Sequence, residues 1–348
     1  MLKGKVALAA LVLGCARGDD REVSASAKPG PPPTAPITSQ ATSALPPLRD
    51  LPEGPEAIPA AQADTLVPAG QLRVELLSAG GMPRQPVRTS VRTGRREELE
   101  LTADVGVTVA AGGGDPSPQT VPRLHVALEA EVVKADGDKT SLQVKLVEVR
   151  TEGGPDVSEV TKSLKGAAFE IPLNERGRAG APSVPAAASA PALQLWSTVA
   201  EALREMVTPF PAEPIGRGAQ WHAFERQPRA GVEMLRRTRY TLVKIEGEEL
   251  SIRGEVREVA VAGGSARDPA LPEGLRLNPI EGSASGEHTW RRPLLDAVLP
   301  VASDSRLQSK LTTDTHHELG TERVRGVIEL RQTLTGKRRK TKEAPHER

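Results

Sequence analysis

Residues 124–146, which read LHVALEAEVVKADGDKTSLQVKL, decide the fold class of this chain. Apolar and polar residues alternate on both sides of the acidic turn Asp136-Gly137-Asp138. Alternation with a period of two is typical of a β-strand with one buried face. A glycine in an acidic turn between two such runs is typical of a β-hairpin. The sequence therefore predicts an antiparallel hairpin here.

The same hairpin pattern returns 110 residues later. Val133–Asp138 aligns with Val243–Glu248, and the same offset aligns Ser141-Leu142 with Ser251-Ile252. One constant offset on both strands favours an internal duplication of a β-rich unit over two unrelated hairpins. The period is longer than the roughly 20 to 50 residues of solenoid repeats, so it indicates paired units rather than a repeat array.

A linker and one amphipathic helix are predicted between the two units. Residues 179–208 begin with a Pro/Ala/Ser-rich stretch, and apolar residues then recur at helical spacing until Pro209. The predicted fold is mainly β: two antiparallel β-rich units, 69–178 and 209–335, with this helix between them, after a disordered N-terminal tether. The candidate lining of a ligand groove is Trp196, Val199, Leu203 and Trp221, and the alternative for Trp196 is a place in the core.

The N-terminus has the layout of a secretory signal. Lys3 and Lys5 precede a short apolar stretch that ends at Gly14 and is followed by Cys15, the single cysteine. The stretch is far shorter than the roughly 20 residues of a membrane-spanning helix. Leu11-Val12-Leu13-Gly14-Cys15 resembles the lipobox of bacterial lipoproteins. The resemblance implies a signal peptide over 1–14, cleavage after Gly14 and lipid on Cys15, and the alternative is an incidental cysteine.

Two segments at the ends of the chain are predicted to be disordered. Residues 15–68 are rich in Pro, Ala, Ser and Thr and show almost no apolar periodicity, which is typical of a tether. Residues 336–348 form a basic tail. The whole chain has a formal net charge of +1 and only 2% aromatic residues. This composition predicts no nucleic-acid partner.

Catalytic and metal motifs do not emerge from the sequence. Gly282–Gly286 has the spacing of a hydrolase nucleophile elbow, but Ala284 stands where the serine is required. The one dense cluster of possible metal ligands is Asp314, His316, His317 and Glu318, of which Asp314, His316 and Glu318 would share one strand face. The alternative is an exposed polar strand edge. We predict no enzyme activity, no metal site and no cofactor.

Three segments resemble an uncharacterised family of bacterial envelope lipoproteins. They are the proline-rich approach to a tryptophan at Pro209–Trp221, the small-residue stretch Gly282–Gly286, and Leu295–Pro300. The resemblance covers about residues 70 to 335 and implies a β-rich domain of unknown function. It transfers no catalytic residue, because the shared motifs are structural.

These observations predict an envelope protein held on a membrane by lipid on Cys15. Ala16 follows the cysteine, which by resemblance to sorted lipoproteins favours the outer membrane, facing the periplasm or the cell surface. We expect a non-catalytic binding module for a hydrophobic ligand or an extended peptide. The alternative is a structural scaffold or adaptor in an envelope complex, so the expected partner is a lipid or a protein.

Overall fold

A computed structural model describes residues 51–88, 91–136, 139–153, 158–174, 190–229, 231–265, 275–294, 297, 299–317 and 323–339. The predicted signal peptide, Gly14, Cys15, the tether up to residue 50 and the tail from residue 340 lie outside this range. Most of the predicted linker before the helix lies outside it as well.

The described chain folds mainly into strands, which confirms the predicted fold class. Three helices are described: α1 Ala60–Leu66, α2 Ser158–Leu164 and α3 Ala190–Met206. The strands are β1 Ile58–Pro59, β2 Leu72–Ser78, β3 Arg96–Ala111, β4 Ser117–Gln119, β5 Arg123–Asp136, β6 Lys139–Glu152, β7 Ala168–Asn174, β8 Gln220–Arg229, β9 Val232–Glu246, β10 Glu249–Ser265, β11 Leu275–Pro293, β12 Ala302–His317 and β13 Arg323–Arg338.

The two predicted units share one continuous sheet rather than forming separate domains. Among the described strands the order is β2-β8-β9-β10-β11-β12-β13-β3-β5-β6-β7, with β4 beside β3 and β1 beside β10. The long strands β13 and β3 join the two halves, pairing from Gly326 opposite Ala111 to Arg338 opposite Leu99. β2 of the first unit pairs with β8 at the far edge. The second unit is therefore inserted between strands of the first.

The two related hairpins share one irregularity of register. In β5–β6, Val132 lies opposite Leu142 and Lys134 opposite Ser141, so Val133 is a bulge. In β9–β10 the equivalent pairs are Leu242 with Ile252 and Lys244 with Ser251, which makes Val243 the bulge. The side chains of both bulge valines are exposed. A duplicated unit predicts this identity of register and bulge.

The side of the sheet that carries α3 is called the inner face here. Val199, Ala202, Leu203 and Met206 of α3 pack there among apolar side chains of β3, β5, β6 and β7. Among the described residues three further apolar clusters lie on the inner face: one around Trp221, one of aliphatic residues at the far end of the strands, and a small one of Val256, Ala284 and Leu307. The core of the molecule is therefore a curved sheet wrapped around the end of one helix.

The predicted tether is wrong for residues 51–68. Leu51, Ile58, Ala63 and Val67 are buried on the outer face of the sheet, and α1 lies within this segment. Their partners include Phe224 on β8 and three apolar residues of β9 and β10. Four widely spaced apolar residues produce no local periodicity, yet they match an apolar patch that distant strands create.

The predicted disordered tail is also wrong over its first residues. β13 continues through Arg338 because it pairs with β3 as far as Leu99. The guanidinium of Arg338 donates to the carbonyl of Leu299 and lies 3.4 Å from Glu97. The basic residues at this point are therefore part of the sheet.

Among the described residues, α3 and the other helices are too short or too polar to cross a bilayer.

Candidate functional site

The predicted groove residues lie in two different parts of the core. Val199 and Leu203 are fully buried in the apolar cluster between α3 and strands β3 to β7. Trp221 is fully buried in the cluster formed by β8 to β11. The side chain of Trp196 is outside the described residues. The structure therefore does not bring Trp221 together with Val199 and Leu203 in one groove.

Trp221 has the contacts of a structural residue. Its ring stacks on Tyr240 with centroids 5.3 Å apart, and its Nε1 donates to the carbonyl of Pro209 at 2.8 Å. Phe210 lies against the same ring at 5.9 Å. The proline-rich segment noted in the sequence is thus fastened to the first strand of the second unit by this indole.

The most unusual feature of the inner face is a group of buried charges, which we call the ion cluster: Glu205, Arg229, Arg236, Glu258 and His288. Arg236 Nη1 donates to Glu205 Oε1 at 3.1 Å. Arg229 Nε donates to Glu258 Oε2 at 2.9 Å, and its Nη2 donates to Glu205 Oε1 at 3.3 Å. Each guanidinium therefore contacts a carboxylate of α3 or β10, and the two carboxylates balance the two cations.

Neutral groups complete the hydrogen bonding around the ion cluster. Gln227 Nε2 donates to Glu258 Oε1 at 2.8 Å, and Arg229 Nη1 donates to Gln332 Oε1 at 3.1 Å. Ser305 Oγ donates to Glu205 Oε2 at 3.2 Å. Burying a charge destabilises the folded state unless the charge is paired and hydrogen-bonded, and these partners provide the hydrogen bonds.

Strand register places the members of the ion cluster. Arg236 on β9 lies directly opposite Glu258 on β10, and His288 on β11 lies directly opposite Ser305 on β12. Residues opposite each other in an antiparallel pair project from the same face. Glu205 comes from the last turn of α3, and Trp290 Nε1 donates to its backbone carbonyl at 3.0 Å. The ion cluster therefore fixes the C-terminal end of α3 on the sheet.

The environment moves the pKa values of two members in the direction that favours this pairing. Burial alone would raise the pKa of Glu205, but the charges of Arg236, His288 and Arg229, with the hydrogen bond from Arg236, together lower it to about 2. Burial lowers the pKa of His288 to about 3; the charge of Glu205 opposes this change, and the charges of Arg236 and Arg229 add to it. At neutral pH the carboxylate is charged and the imidazole is neutral. His288 Nε2 then accepts from Arg236 Nη2 at 3.2 Å.

Ser305, His288 and Glu205 include the residue types of a hydrolase triad, but their geometry differs from it. A triad needs the serine on one ring nitrogen and the carboxylate on the other. Here Ser305 Oγ and Glu205 Oε2 both approach Nε2, at 3.2 and 3.9 Å. An imidazole whose pKa is about 3 is also a weak base at neutral pH. This arrangement can pair charges, and it does not activate a nucleophile.

The sequence contains a signal for the ion cluster that was missed. Met234, Arg236, Thr238 and Tyr240 alternate with outward-facing residues, so Arg236 occupies an inner-face position in an otherwise buried run. Glu258 and His288 occupy equivalent positions in β10 and β11. A charged residue at a position that the alternation predicts to be buried indicates that the interior is polar there or that the charge has a buried partner.

The predicted metal ligands are only partly described. Asp314 forms an ion pair with Arg325, whose Nε lies 3.2 Å from Oδ1. The side chains of His316, His317 and Glu318 lie outside the described residues. No group of three metal-ligating side chains is found within the part of the chain that the structure describes.

Two clefts lie on the outer face, and charged side chains of both signs line each of them. One has a volume of about 410 Å³ and lies beside Arg257, Ser283, Lys310 and Arg331. The other has a volume of about 320 Å³ and lies beside His125 and other residues of β3, β5 and β6. In both, cations alternate with carboxylates, so neither presents a surface of a single charge.

Comparisons with known proteins give little further identification. No protein-family model matches the sequence, and no curated protein matches it significantly. A solved structure of lipovitellin, described by its lipid–protein interactions, is similar with a TM-score of 0.41 and 12% identity over 74% of this chain. The match covers 26% of the lipovitellin chain, so this chain spans about a quarter of that length. A TM-score below 0.5 does not establish a shared fold.

Proposed function

We propose that this protein is a lipid-anchored lipoprotein of the bacterial cell envelope whose folded part binds an apolar ligand without catalysis. The anchor is Cys15, and the outer membrane is the proposed location. The ligand site is the inner face of the sheet, where α3 acts as a displaceable cover. The ligand class is a long aliphatic chain, such as the acyl chain of a lipid.

One observation carries the proposed ligand site. The inner face beneath α3 is a continuous apolar surface from four strands, and the helix covers it with Val199, Ala202, Leu203 and Met206. An aliphatic chain in the place of this helix face would contact the same strand side chains. Burying a Val, Leu or Met side chain contributes about 1.5 to 3 kcal/mol, so a ligand that replaces these contacts offsets most of what displacement of α3 loses.

The ion cluster supports a cover that can be exchanged. When α3 leaves, Glu205 and the two arginines regain water, and hydration offsets much of the lost attraction. Buried ion pairs are for this reason often no more stabilising than apolar residues of similar volume. The end of α3 is thus held in one position without a large net free energy.

A reversible covalent lock tests the cover directly. Residues 206 and 336 face each other closely, because a Cβ on Gly336 would lie 2.9 Å from Met206 Sδ and 2.6 Å from Ser303 Oγ. The lock is therefore the double variant Met206→Cys/Gly336→Cys in a Ser303→Ala background, in which the shorter side chain at 206 and the loss of the hydroxyl make room for a disulfide. The full chain should also carry Cys15→Ser, so that it has no other thiol and needs no detergent. Binding of a fluorescent long-chain fatty acid is measured by its emission.

We expect binding in the reduced double variant and at least a tenfold weaker affinity after oxidation. The single variant Met206→Cys, oxidised in the same way, is the matched control and should bind as before. Equal affinity in the oxidised and reduced states, or no binding by the chain without the lock, would contradict the proposed site.

The proposed anchor is tested separately in cells. The wild-type chain should incorporate radiolabelled palmitate and sediment with membranes, and Cys15→Ser should do neither. A Ser43→Ala variant, in the predicted tether, is the control. Unlabelled wild-type protein would contradict lipidation while leaving the ligand site to its own test.

A further inference from the structure

The β2 edge of the sheet differs from the opposite edge. Among the described residues, β2 pairs on one side only, with β8, from Leu72 opposite Glu225 to Ser78 opposite Gln220. The other edge strand, β7, contains Pro172, whose ring nitrogen cannot donate to a further strand. β2 has the sequence LRVELLS and no proline. It therefore keeps the backbone groups that a further strand requires.

The side chains of β2 divide cleanly between the two faces. Leu72, Val74 and Leu76 project to the inner face and are only partly buried against the cluster around Trp221. Arg73 and Glu75 project to the outer face, because successive residues of a strand alternate. The strand thus offers an apolar row on one face and one cation and one anion on the other.

We propose that β2 pairs with β2 of a second copy of this chain, antiparallel and centred on Val74. A two-fold axis normal to the sheet makes the two edges equivalent, as in an isologous dimer. Leu72 then lies opposite the partner's Leu76, and Arg73 lies opposite the partner's Glu75. The pairing extends the curved sheet from one copy into the next.

Charge complementarity selects both the occupant and the register. The sequence Arg73-Val74-Glu75 is its own complement in an antiparallel pair, so a second copy supplies the partner without any further protein. A register centred one residue away in either direction places Arg73 opposite itself or Glu75 opposite itself. Like charges directly opposite each other destabilise a sheet. The register centred on Val74 is the one in which both charges meet their opposites.

A disulfide on the two-fold axis tests this geometry. Val74→Cys is made in the full chain carrying Cys15→Ser, which removes the single native cysteine. Opposed residues of antiparallel strands have Cα atoms about 4.5 to 5.5 Å apart, within the range of a disulfide. Leu77→Cys is the matched control, since in this register the two copies of residue 77 lie about 20 Å apart. Cross-linked dimer is measured on a non-reducing gel after mild oxidation.

We expect a dimer band for Val74→Cys that is at least tenfold stronger than for Leu77→Cys. Adding Arg73→Glu or Glu75→Arg to Val74→Cys should weaken the band at least fivefold, since each places like charges opposite each other. The double exchange Arg73→Glu/Glu75→Arg should restore it to within twofold. A mixture of the two single-exchange variants should also form the dimer, because their strands are complementary.

Other results would overturn the proposal. They are a monomeric Val74→Cys chain, equal bands for Val74→Cys and Leu77→Cys, or a double exchange that does not recover. Cross-linking in cells to a band of another mass, with the purified chain monomeric, would assign the β2 edge to an extended peptide of a different protein. Urea midpoints close to the parent for each variant would show that loss of the band is not loss of folding. The test does not depend on whether the inner face binds an aliphatic chain.

Discussion

Replacing the pair Glu205 and Arg236 by apolar residues is the sharpest test of how the ion cluster stabilises this fold. The two groups are almost fully buried and joined by a hydrogen bond of 3.1 Å between Arg236 Nη1 and Glu205 Oε1. The variants are Glu205→Leu, Arg236→Met and the two together. The double variant leaves Arg229 paired with Glu258, so the remaining charges are balanced.

Each single change should lower the free energy of unfolding by about 3 to 5 kcal/mol, the usual range when one partner of a buried pair is removed. The lowered pKa of Glu205 points in the same direction, because it shows that the folded state favours the ionised carboxylate and that this carboxylate depends on its buried cationic partners. The double variant should differ from wild type by less than about 2 kcal/mol, because no charge is left buried alone.

The assay is a double-mutant cycle by urea unfolding, followed by circular dichroism at neutral pH. Arg96 and Glu131 form the control pair, with an N–O distance of 3.0 Å on the exposed side of β3 and β5. Removing either of these should change the unfolding free energy by less than about 1 kcal/mol. Single costs below 1 kcal/mol at Glu205 and Arg236, or a double variant whose loss equals the sum of the single losses, would refute the reasoning.

Three further changes have expected outcomes. In the wild type the folded pKa of His288 is about 3, so between pH 6.5 and 3 the unfolded state binds one more proton and the free energy of unfolding falls as the pH falls. His288→Gln should make this fall smaller. Urea midpoints measured from pH 7.5 to 5 test it. Gly254→Ala should lower the free energy of unfolding by about 1 to 3 kcal/mol, because its Cβ would lie 2.8 Å from the ring of Trp290. Gly106→Ala is the control: its Cβ would lie 3.9 Å from its nearest neighbour, so the loss in urea unfolding should be less than about 1 kcal/mol. Trp221→Phe should cost about 1 to 3 kcal/mol in urea unfolding, because a buried carbonyl loses the indole donor; an unchanged midpoint would contradict this.

The strands were predictable because their information is local. In 124–146 the alternation of apolar residues and the acidic turn lie within one stretch of sequence, and the structure places β5 and β6 there. The same holds for α3, whose apolar spacing and following proline mark its length. A 110-residue offset could also be found without knowing any contact, because a copied unit keeps its register.

The joining of the two units could not be predicted in the same way. β3 and β13 are separated by more than 200 residues, and neither sequence specifies its partner. The ion cluster could not be predicted for the same reason. Arg229 and Gln332 come from strands that are far apart in the sheet order, yet Arg229 Nη1 lies 3.1 Å from Gln332 Oε1. Only the curvature of the whole sheet brings these strands face to face. Local patterns predict that a residue is buried, but not what it is buried against.

The ion cluster explains how α3 is placed precisely at little net gain in stability. Leucines at the same positions could hold the helix at least as strongly, since apolar packing carries no desolvation cost. Apolar contacts, however, tolerate small rotations of a helix, whereas Glu205 satisfies Arg229 and Arg236 together in one orientation. The charges therefore select one orientation of α3 on the sheet while adding little to the net free energy of its packing. The proposed role of α3 as a cover that leaves and returns fits this combination, because an all-apolar contact would make the closed state more stable but less specific.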